Sequence, residues 1–287
     1  MIERIALIGL GEVGAVLAED LRGKATLTAW DVAFADEDSI AARHAARLGL
    51  KHTWGAAEAV ADADLVISAV TAANDLAAAE AAASGMKAGA WFLDLNSASP
   101  GQKQASAAAV EAAGGRYVEA AVMSPIGRKR IATAMLIGGP HAAAFAAEAA
   151  PLGLTGLEVY SDQVGPASAT KMCRSVMIKG VEALVTESML AARAYGVEER
   201  VLSSLSDLMP LGDWKKFAAY MMSRGLEHGT RRAEEMREAA KTVAETGIEP
   251  LMASACAKRQ DWSAQFRECG NEQDLMAMVD AVRARLK

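Results

Sequence analysis

Ile5-Ala6-Leu7-Ile8-Gly9-Leu10-Gly11-Glu12-Val13-Gly14 is the stretch on which the reading of this chain turns. Its four leading apolar residues fit a short strand covered on both faces. Glycines at 9, 11 and 14 follow without a gap, and a helical pattern begins at once. Gly9 permits a tight turn, Gly11 lets backbone amides approach a pyrophosphate, and Gly14 lets the helix pack close to the strand. The helix N-terminus adds free N–H groups and partial positive charge. A second strand, Thr26–Ala29, runs toward Asp31, 17 residues after Gly14. A carboxylate there is placed to accept from ribose hydroxyls. Val32-Ala33-Phe34 supplies no arginine for a 2′-phosphate, so NAD is expected as cofactor ahead of NADP. Leu10, Glu12 and Val13 belong to the same cofactor loop, and Val70, Thr71 and Asn96, after later strands, are counted with it.

Outward from this motif, short apolar runs alternate with alanine-rich helical stretches. Strands are read near Thr26–Ala29, Lys51–Trp54, Leu65–Val70, Trp91–Leu95, Tyr117–Ala121, Met135–Ile137 and Leu157–Tyr160. Helices are read at Val13–Leu21, Ser39–Leu48, Ala56–Ala61 and Gln102–Ala113. This alternation implies right-handed crossovers and an open parallel sheet. Beyond Gly165 strand signals stop. A helix is expected from Pro166 to Tyr195, then others at Glu198–Leu208, Asp213–Ser223, Thr230–Glu245, Pro250–Gln260 and Glu272–Leu286. The fold class is therefore an α/β Rossmann-type doubly wound sheet followed by an all-α C-terminal domain, with domains at 1–163 and 164–287.

Composition removes several classes. The chain has 287 residues, a net charge of −6, 52% hydrophobic residues and 5% aromatic residues. That is enough apolar material for a core, and the acidic balance with few aromatics argues against nucleic-acid binding. No segment reads as a membrane span or a signal peptide, so a cytoplasmic protein with no membrane partner is expected. Cys173, Cys256 and Cys269 have no metal-type spacing; no metal is expected, and a reducing compartment fits. Five methionines of the helical half, Met172, Met177, Met189, Met221 and Met222, offer adaptable apolar surface, and a homodimer is expected.

Three further stretches carry chemistry. Asp94-Leu95-Asn96-Ser97-Ala98-Ser99-Pro100-Gly101 follows a strand and so lies at the carboxyl edge of the sheet. Ser97 and Ser99 offer hydroxyls, and the helix after Pro100 offers amides, for a substrate carboxylate; Ser99 as N-cap with Pro100 at N1 explains those two structurally and leaves Asn96 and Ser97 unexplained, and Ala98 is counted with Ser97 as a substrate contact. Gly165-Pro166-Ala167-Ser168-Ala169-Thr170-Lys171 opens the long helix; a lysine held near a nicotinamide and partly desolvated could exchange protons near neutral pH, while on these residues alone Lys171 reads as a snorkelling surface lysine. Lys179 lies two turns on. Gly225-Leu226-Glu227-His228-Gly229-Thr230-Arg231 precedes another helix; His228, in a loop, and Arg231 are candidates for a substrate anion, although Arg231 and Glu235 also stand i,i+4. Ser124 after the sixth strand, and the basic run Arg128-Lys129-Arg130 behind it, make a further anion candidate, with Arg128 foremost. His44, His52 and His141 show no partner pattern.

With these motifs in place the chain resembles the β-hydroxyacid dehydrogenase family, relatives of 6-phosphogluconate and 3-hydroxyisobutyrate dehydrogenases. Its helical half resembles a subgroup whose C-terminal domain has no assigned function. The resemblance implies an NAD(P)-dependent oxidoreductase acting on a small anionic β-hydroxyacid, with Lys171 as the catalytic lysine and Ser97 contacting substrate near the nicotinamide. The chain departs from the family pattern at Glu119-Ala120-Ala121-Val122-Met123-Ser124-Pro125, which lacks paired glycines. It departs again at Arg174 and Ser175, where asparagine is usual, and at Ile178, where 6-phosphogluconate dehydrogenases carry a glutamate. Decarboxylation of 6-phosphogluconate is therefore not expected. An imine reductase shares the architecture, and a non-catalytic dinucleotide-binding sensor would need only the glycine loop.

Overall fold

A computed structural model describes residues 1–205, 209–210, 212–272 and 274–286, without the side chain of His52. The chain forms two compact units, Met1–Lys171 and Met172–Lys287. No helix among the described residues is long and apolar enough to cross a membrane.

The first unit is built on strands β1 (Arg4–Ile8), β2 (Thr26–Trp30), β3 (Lys51–His52), β4 (Leu65–Ser68), β5 (Trp91–Asp94), β6 (Arg116–Val122), β7 (Met135–Gly138) and β8 (Leu157–Ser161). They form one sheet in the order β3-β2-β1-β4-β5-β6-β7-β8. Strands β1 to β6 pair in parallel, each strand–helix–strand step returning the chain to the same edge. The expected all-parallel sheet needs one correction, because β7 runs antiparallel to β6. The link between them, residues 123–134, carries only the short helix Ile126–Lys129 and a single further turn, with no crossover helix to bring the chain back parallel.

The helices of this unit are α1 (Glu12–Leu21), α2 (Ile40–Leu48), α3 (Ala56–Val60), α4 (Asp75–Ala83), α5 (Pro100–Ala112), α6 (Ile126–Lys129) and α7 (Ala142–Ala149). Two apolar layers sandwich the sheet. Leu7, Leu17, Leu21, Ile67 and Leu93 fill one; Ile8, Val60, Val66, Phe92 and Tyr117 fill the other. The residues of β4 and β5 are buried along their whole length, which is why these runs read as continuous rather than alternating.

The long helix α8 (Pro166–Tyr195) begins in the first unit and carries the chain into the second. There follow α9 (Glu198–Leu205), α10 (Trp214–Glu245), α11 (Leu251–Ala264) and α12 (Leu275–Ala284). Ser206, Asp207 and Leu208 of the expected helix Glu198–Leu208, and Gln273 of Glu272–Leu286, lie outside the described residues. Met189, Leu202, Met222, Leu226 and Val279 make the core of this unit.

The two helices expected around a loop, Asp213–Ser223 and Thr230–Glu245, meet instead at a kink, and both lie within α10. α10 continues through residues 224–229 with a kink at His228, whose φ and ψ are −120° and 15°. The sequence pattern broke there because Gly225 and Gly229 are poor helix formers. Packing overrides that preference: a Cβ on Gly229 would come within 2.5 Å of the Gln260 carbonyl oxygen on α11. The glycine lets two helix backbones touch.

Candidate active site

β1 ends at Ile8, and Gly9 turns the chain with φ of 91°. A Cβ on Gly9 would lie 2.5 Å from the Ala69 carbonyl oxygen, and one on Gly14 2.0 Å from that of Gly9. Neither position admits a side chain. Around Gly11 nothing stands within 4 Å of the same point, so the loop's backbone is open to a ligand. This cradle fits a dinucleotide pyrophosphate, held by loop amides and the start of α1.

Asp31 closes the loop from the end of β2. Its Oδ2 accepts from Leu10 N at 2.8 Å and its Oδ1 from Ala33 N at 2.9 Å. The carboxylate thus pins the glycine loop, and it also lines a cleft of about 540 Å³ with Gly11, Glu12 and His44. Nδ1 of His44 stands 2.9 Å from the Leu10 carbonyl oxygen. His44 had no partner in the sequence reading because the loop it meets lies 34 residues away. Glu12 is exposed, Val13 half-buried and Leu10 buried.

The carboxyl ends of β4 and β5 carry the second part of the site. Lys171 Nζ donates to Ser97 Oγ at 2.6 Å, across 74 residues of sequence. Ser97 is half-buried between buried Asn96 and Ala98, and Ser99 caps α5 as expected. Thr71 is exposed at the end of β4, and Val70 N donates to Asn96 Oδ1 at 2.7 Å.

The side chain of Asn96 is held by the protein itself. Its Nδ2 donates to Ser68 Oγ at 2.9 Å and to Asp75 Oδ1 at 2.6 Å, so both ends of its amide point inward. It belongs to a buried network under the Ser97 loop. Asp94 Oδ1 accepts from Lys103 Nζ at 2.5 Å and from Asn96 N at 2.9 Å, while Oδ2 accepts from Tyr117 OH at 2.7 Å. The Asp94 and Lys103 side chains are 0% exposed. Burial, with the nearby carboxylates, pushes the Tyr117 hydroxyl up. Burial also pushes Asp75 up to about 7; the Lys103 ammonium opposes this and the Asp94 charge adds to it. Sequence reading missed Asp75, Lys103 and Tyr117. Polar residues at positions patterned as core were the available signal.

The basic run after β6 is divided. Ser124, Arg128 and Lys129 are exposed. Arg130 is not a free cation for an anion: its Nε donates to Asp20 Oδ1 at 2.8 Å and its Nη2 to Glu19 Oε2 at 2.7 Å on α1. Lys179, His228 and Arg231 belong to the second unit. Lys179 Nζ pairs with Glu235 Oε2 at 2.6 Å and donates to Ser175 Oγ at 2.9 Å, within a buried set. Glu182, pushed up by burial, accepts there from Arg232 at 2.6 Å. Arg231 Nη1 donates to Glu235 Oε1 at 2.8 Å, the i,i+4 pair expected. His228 sits at the kink of α10, and its Nε2 is 3.4 Å from Glu227.

A sequence profile described as the NAD binding domain of 6-phosphogluconate dehydrogenase matches residues 4–156, and one for a domain of unknown function matches residues 192–263. The structure of a conserved hypothetical protein from Sinorhizobium meliloti is 36% identical, covering 100% of this chain and 97% of that one, with a TM-score of 0.77. A conserved protein described as structurally similar to 3-hydroxyacid dehydrogenases is 30% identical over 94% of this chain and 100% of its own, with a TM-score of 0.70. The Mycobacterium tuberculosis 3-hydroxyisobutyrate dehydrogenase, solved with L-serine, shares the fold at 21% identity and a TM-score of 0.71, over 99% and 100% of the two chains.

The Asp75 carboxyl makes stability depend on pH. Unfolded, it titrates near the ordinary value of about 3.9; folded, it titrates at about 7. Between those values the fold holds a proton that the unfolded chain has lost, so this group's contribution falls as pH rises and levels off above the folded value. Asp75→Asn keeps an acceptor for Asn96 and removes the titration. The wild-type urea midpoint, measured against that of Asp75→Asn, is expected to decline from pH 4 to pH 8; parallel curves would show that Asp75 does not titrate there.

Proposed function

Since the chain belongs to the family of the 6-phosphogluconate dehydrogenase NAD binding domain, we propose that it is an NAD(P)-dependent oxidoreductase. Its reaction moves a hydride between nicotinamide and the hydroxyl-bearing carbon of a small anionic β-hydroxyacid. The observation that carries this reading is the 2.6 Å contact from Lys171 Nζ to Ser97 Oγ. It lies on the carboxyl edge of the sheet, the edge that also carries the glycine loop. A dinucleotide-binding sensor needs the loop but has no use for a lysine held against a serine. An imine substrate offers no hydroxyl proton for that lysine to take.

The bound dinucleotide supplies the hydride acceptor or donor. In oxidation Lys171, as the free amine, takes the hydroxyl proton as the hydride leaves the adjacent carbon. Ser97 Oγ accepts from Lys171, which leaves its own O–H to donate to a substrate oxygen and fix the approach of the reacting carbon. In the reverse direction the ammonium of Lys171 returns the proton to the carbonyl oxygen. Arg128 and Lys129, exposed beyond the carboxyl end of β6, favour an anionic substrate.

Lys171→Ala is expected to lower kcat by about two to four orders of magnitude on the hydroxy acid that an NAD(P)-linked screen identifies, with NADH binding retained. Near-normal turnover would remove Lys171 from the proton transfer, and a screen without any active hydroxy acid would remove the reaction class.

NAD is the expected cofactor, because the Asp31 carboxylate lines the cleft that a 2′-phosphate would enter. Arg47 lines it too, but is paired with Glu19. Fluorescence titration should show NADH binding more tightly than NADPH; the opposite order would overturn the preference.

We also propose a homodimer built on α8. The helix turns Ser175, Lys179, Glu182 and Thr186 into its own unit, while Met177 and Leu184 are 68% and 60% exposed. A helix with apolar side chains outward calls for a second copy to cover them. Light scattering is expected to give twice the chain mass of 30.0 kDa, and a monomer at working concentration would refute it.

A further inference from the structure

Glu119 lies in the middle of β6 and is 0% exposed, yet the proposed reaction makes no use of it. A buried carboxylate without partners would be costly. This one accepts three backbone amides at the start of α8. Oε1 takes Gly165 N at 2.8 Å and Ala167 N at 3.1 Å, and Oε2 takes Ser168 N at 3.4 Å. These are donors that a helix N-terminus leaves unpaired. Ser168 Oγ meets the Gly165 carbonyl oxygen at 2.8 Å and tightens the same turn.

The strand beside it is shaped for this carboxylate. Gly138 on β7 pairs in register with Glu119. A Cβ on Gly138 would lie 2.5 Å from Glu119 Oε1 and 2.9 Å from the Gln163 carbonyl oxygen. The glycine leaves the space that the carboxylate occupies.

Lys171 follows Ser168 by one turn of the same helix. Two consequences arise for it. The helix is fixed at its first turn, which sets where the Lys171 side chain meets Ser97. The positive end of the helix, unfavourable to an ammonium, is offset by a negative charge one turn away. We propose that Glu119 is a positioning residue for Lys171, a helix-capping carboxylate that sets both the place and the charge state of the catalytic lysine. The proposal rests on the assignment of Lys171 to the proton transfer. Other titratable groups near this end of α8 are Tyr117, two residues before Glu119 on β6, Tyr160 on β8, whose hydroxyl is 3.1 Å from Thr170 Oγ1, and Arg174, one turn past Lys171.

Reductive ¹³C-dimethylation of the full chain gives each lysine an NMR signal that follows its titration, and Lys171→Arg identifies the one wanted. Glu119→Gln keeps an oxygen for Gly165 and Ala167 but removes the charge. It is expected to move the Lys171 midpoint to lower pH by about half a unit to one unit. Gly138→Ala displaces the carboxylate without removing it and should move the midpoint the same way by less. Glu158→Gln, an exposed charge on β8, should leave it in place. A Lys171 midpoint unchanged in both Glu119→Gln and Gly138→Ala overturns the proposal, and if Glu119→Gln does not fold, Gly138→Ala decides by the same criterion. The titration needs no substrate. A chain that binds NADH but oxidises no hydroxy acid would therefore overturn the proposed reaction while the Lys171 signal still judges Glu119.

Discussion

The buried ion pair of Asp94 and Lys103 is the constraint on which the rest of the candidate site depends. Taking both charges out of water costs several kcal/mol per ion in a real protein interior, and only full hydrogen bonding offsets it. The Asp94 carboxylate has that bonding, from Lys103, the Asn96 amide and the Tyr117 hydroxyl. Each donor comes from a different element: α5, the loop after β5, and β6. The pair therefore joins three elements at one carboxylate. Removing one partner would strand a charge where water cannot reach it, so the arrangement tolerates no slack. Ser97 is one residue beyond the loop amide that this carboxylate holds.

From the same loop the constraint passes to the cofactor side. Asn96 ties the end of β5 to Ser68 and Val70 at the end of β4, and β4 pairs with β1, whose end is the glycine loop. The carbonyl of Ala69, just past β4, is the atom that forbids a side chain on Gly9. Cofactor loop and Ser97 are thus held by one continuous set of short contacts rather than by two independent motifs. A hydride transfer needs reacting atoms held within a few tenths of an ångström, and rigid strand ends supply that better than free loops.

The fold was legible because its signals are local. The strand, glycines and helix at Ile5–Leu21 sit within one supersecondary unit, and Ser99-Pro100 announces the start of α5. All eight strands were read, with ends displaced by a residue or two. What escaped was set by contacts distant in sequence. Antiparallel β7 follows from pairing, not from its composition. That α10 passes its kink at His228 without a loop goes with the close approach of Gly229 to α11. Lys103 lies in an alanine-rich helix where nothing local marks it, and its partner Asp94 is on β5. Asn96 had the type and position of a ligand contact, but its amide is spent on Ser68, Asp75 and Val70. Arg130 read as one of three free cations because Glu19 and Asp20 lie 111 and 110 residues away. Charge runs do not reveal their partners.

In the helical half α8 buries polar residues alongside apolar ones such as Met172 and Met189. A surface helix of a soluble domain turns its apolar stripe inward. α8 turns Ser175, Lys179, Glu182 and Thr186 inward; Glu235 meets Lys179, Arg232 and Gln260 meet Glu182, and Ser175 and Thr186 bond within α8, while Met177 and Leu184 stay outside. Such a polar interior is a poor source of stability, since well-packed apolar residues of similar volume would do as well or better. What it does supply is direction. Glu182 has only one rotation of α8 in which Arg232 and Gln260 both reach it, and Lys179 meets Glu235 in that same rotation. Those pairs set the helix about its own axis, so its outward residues follow from its buried ones. The buried charges are thus the part of the sequence that specifies the rotational register of α8 within its own unit.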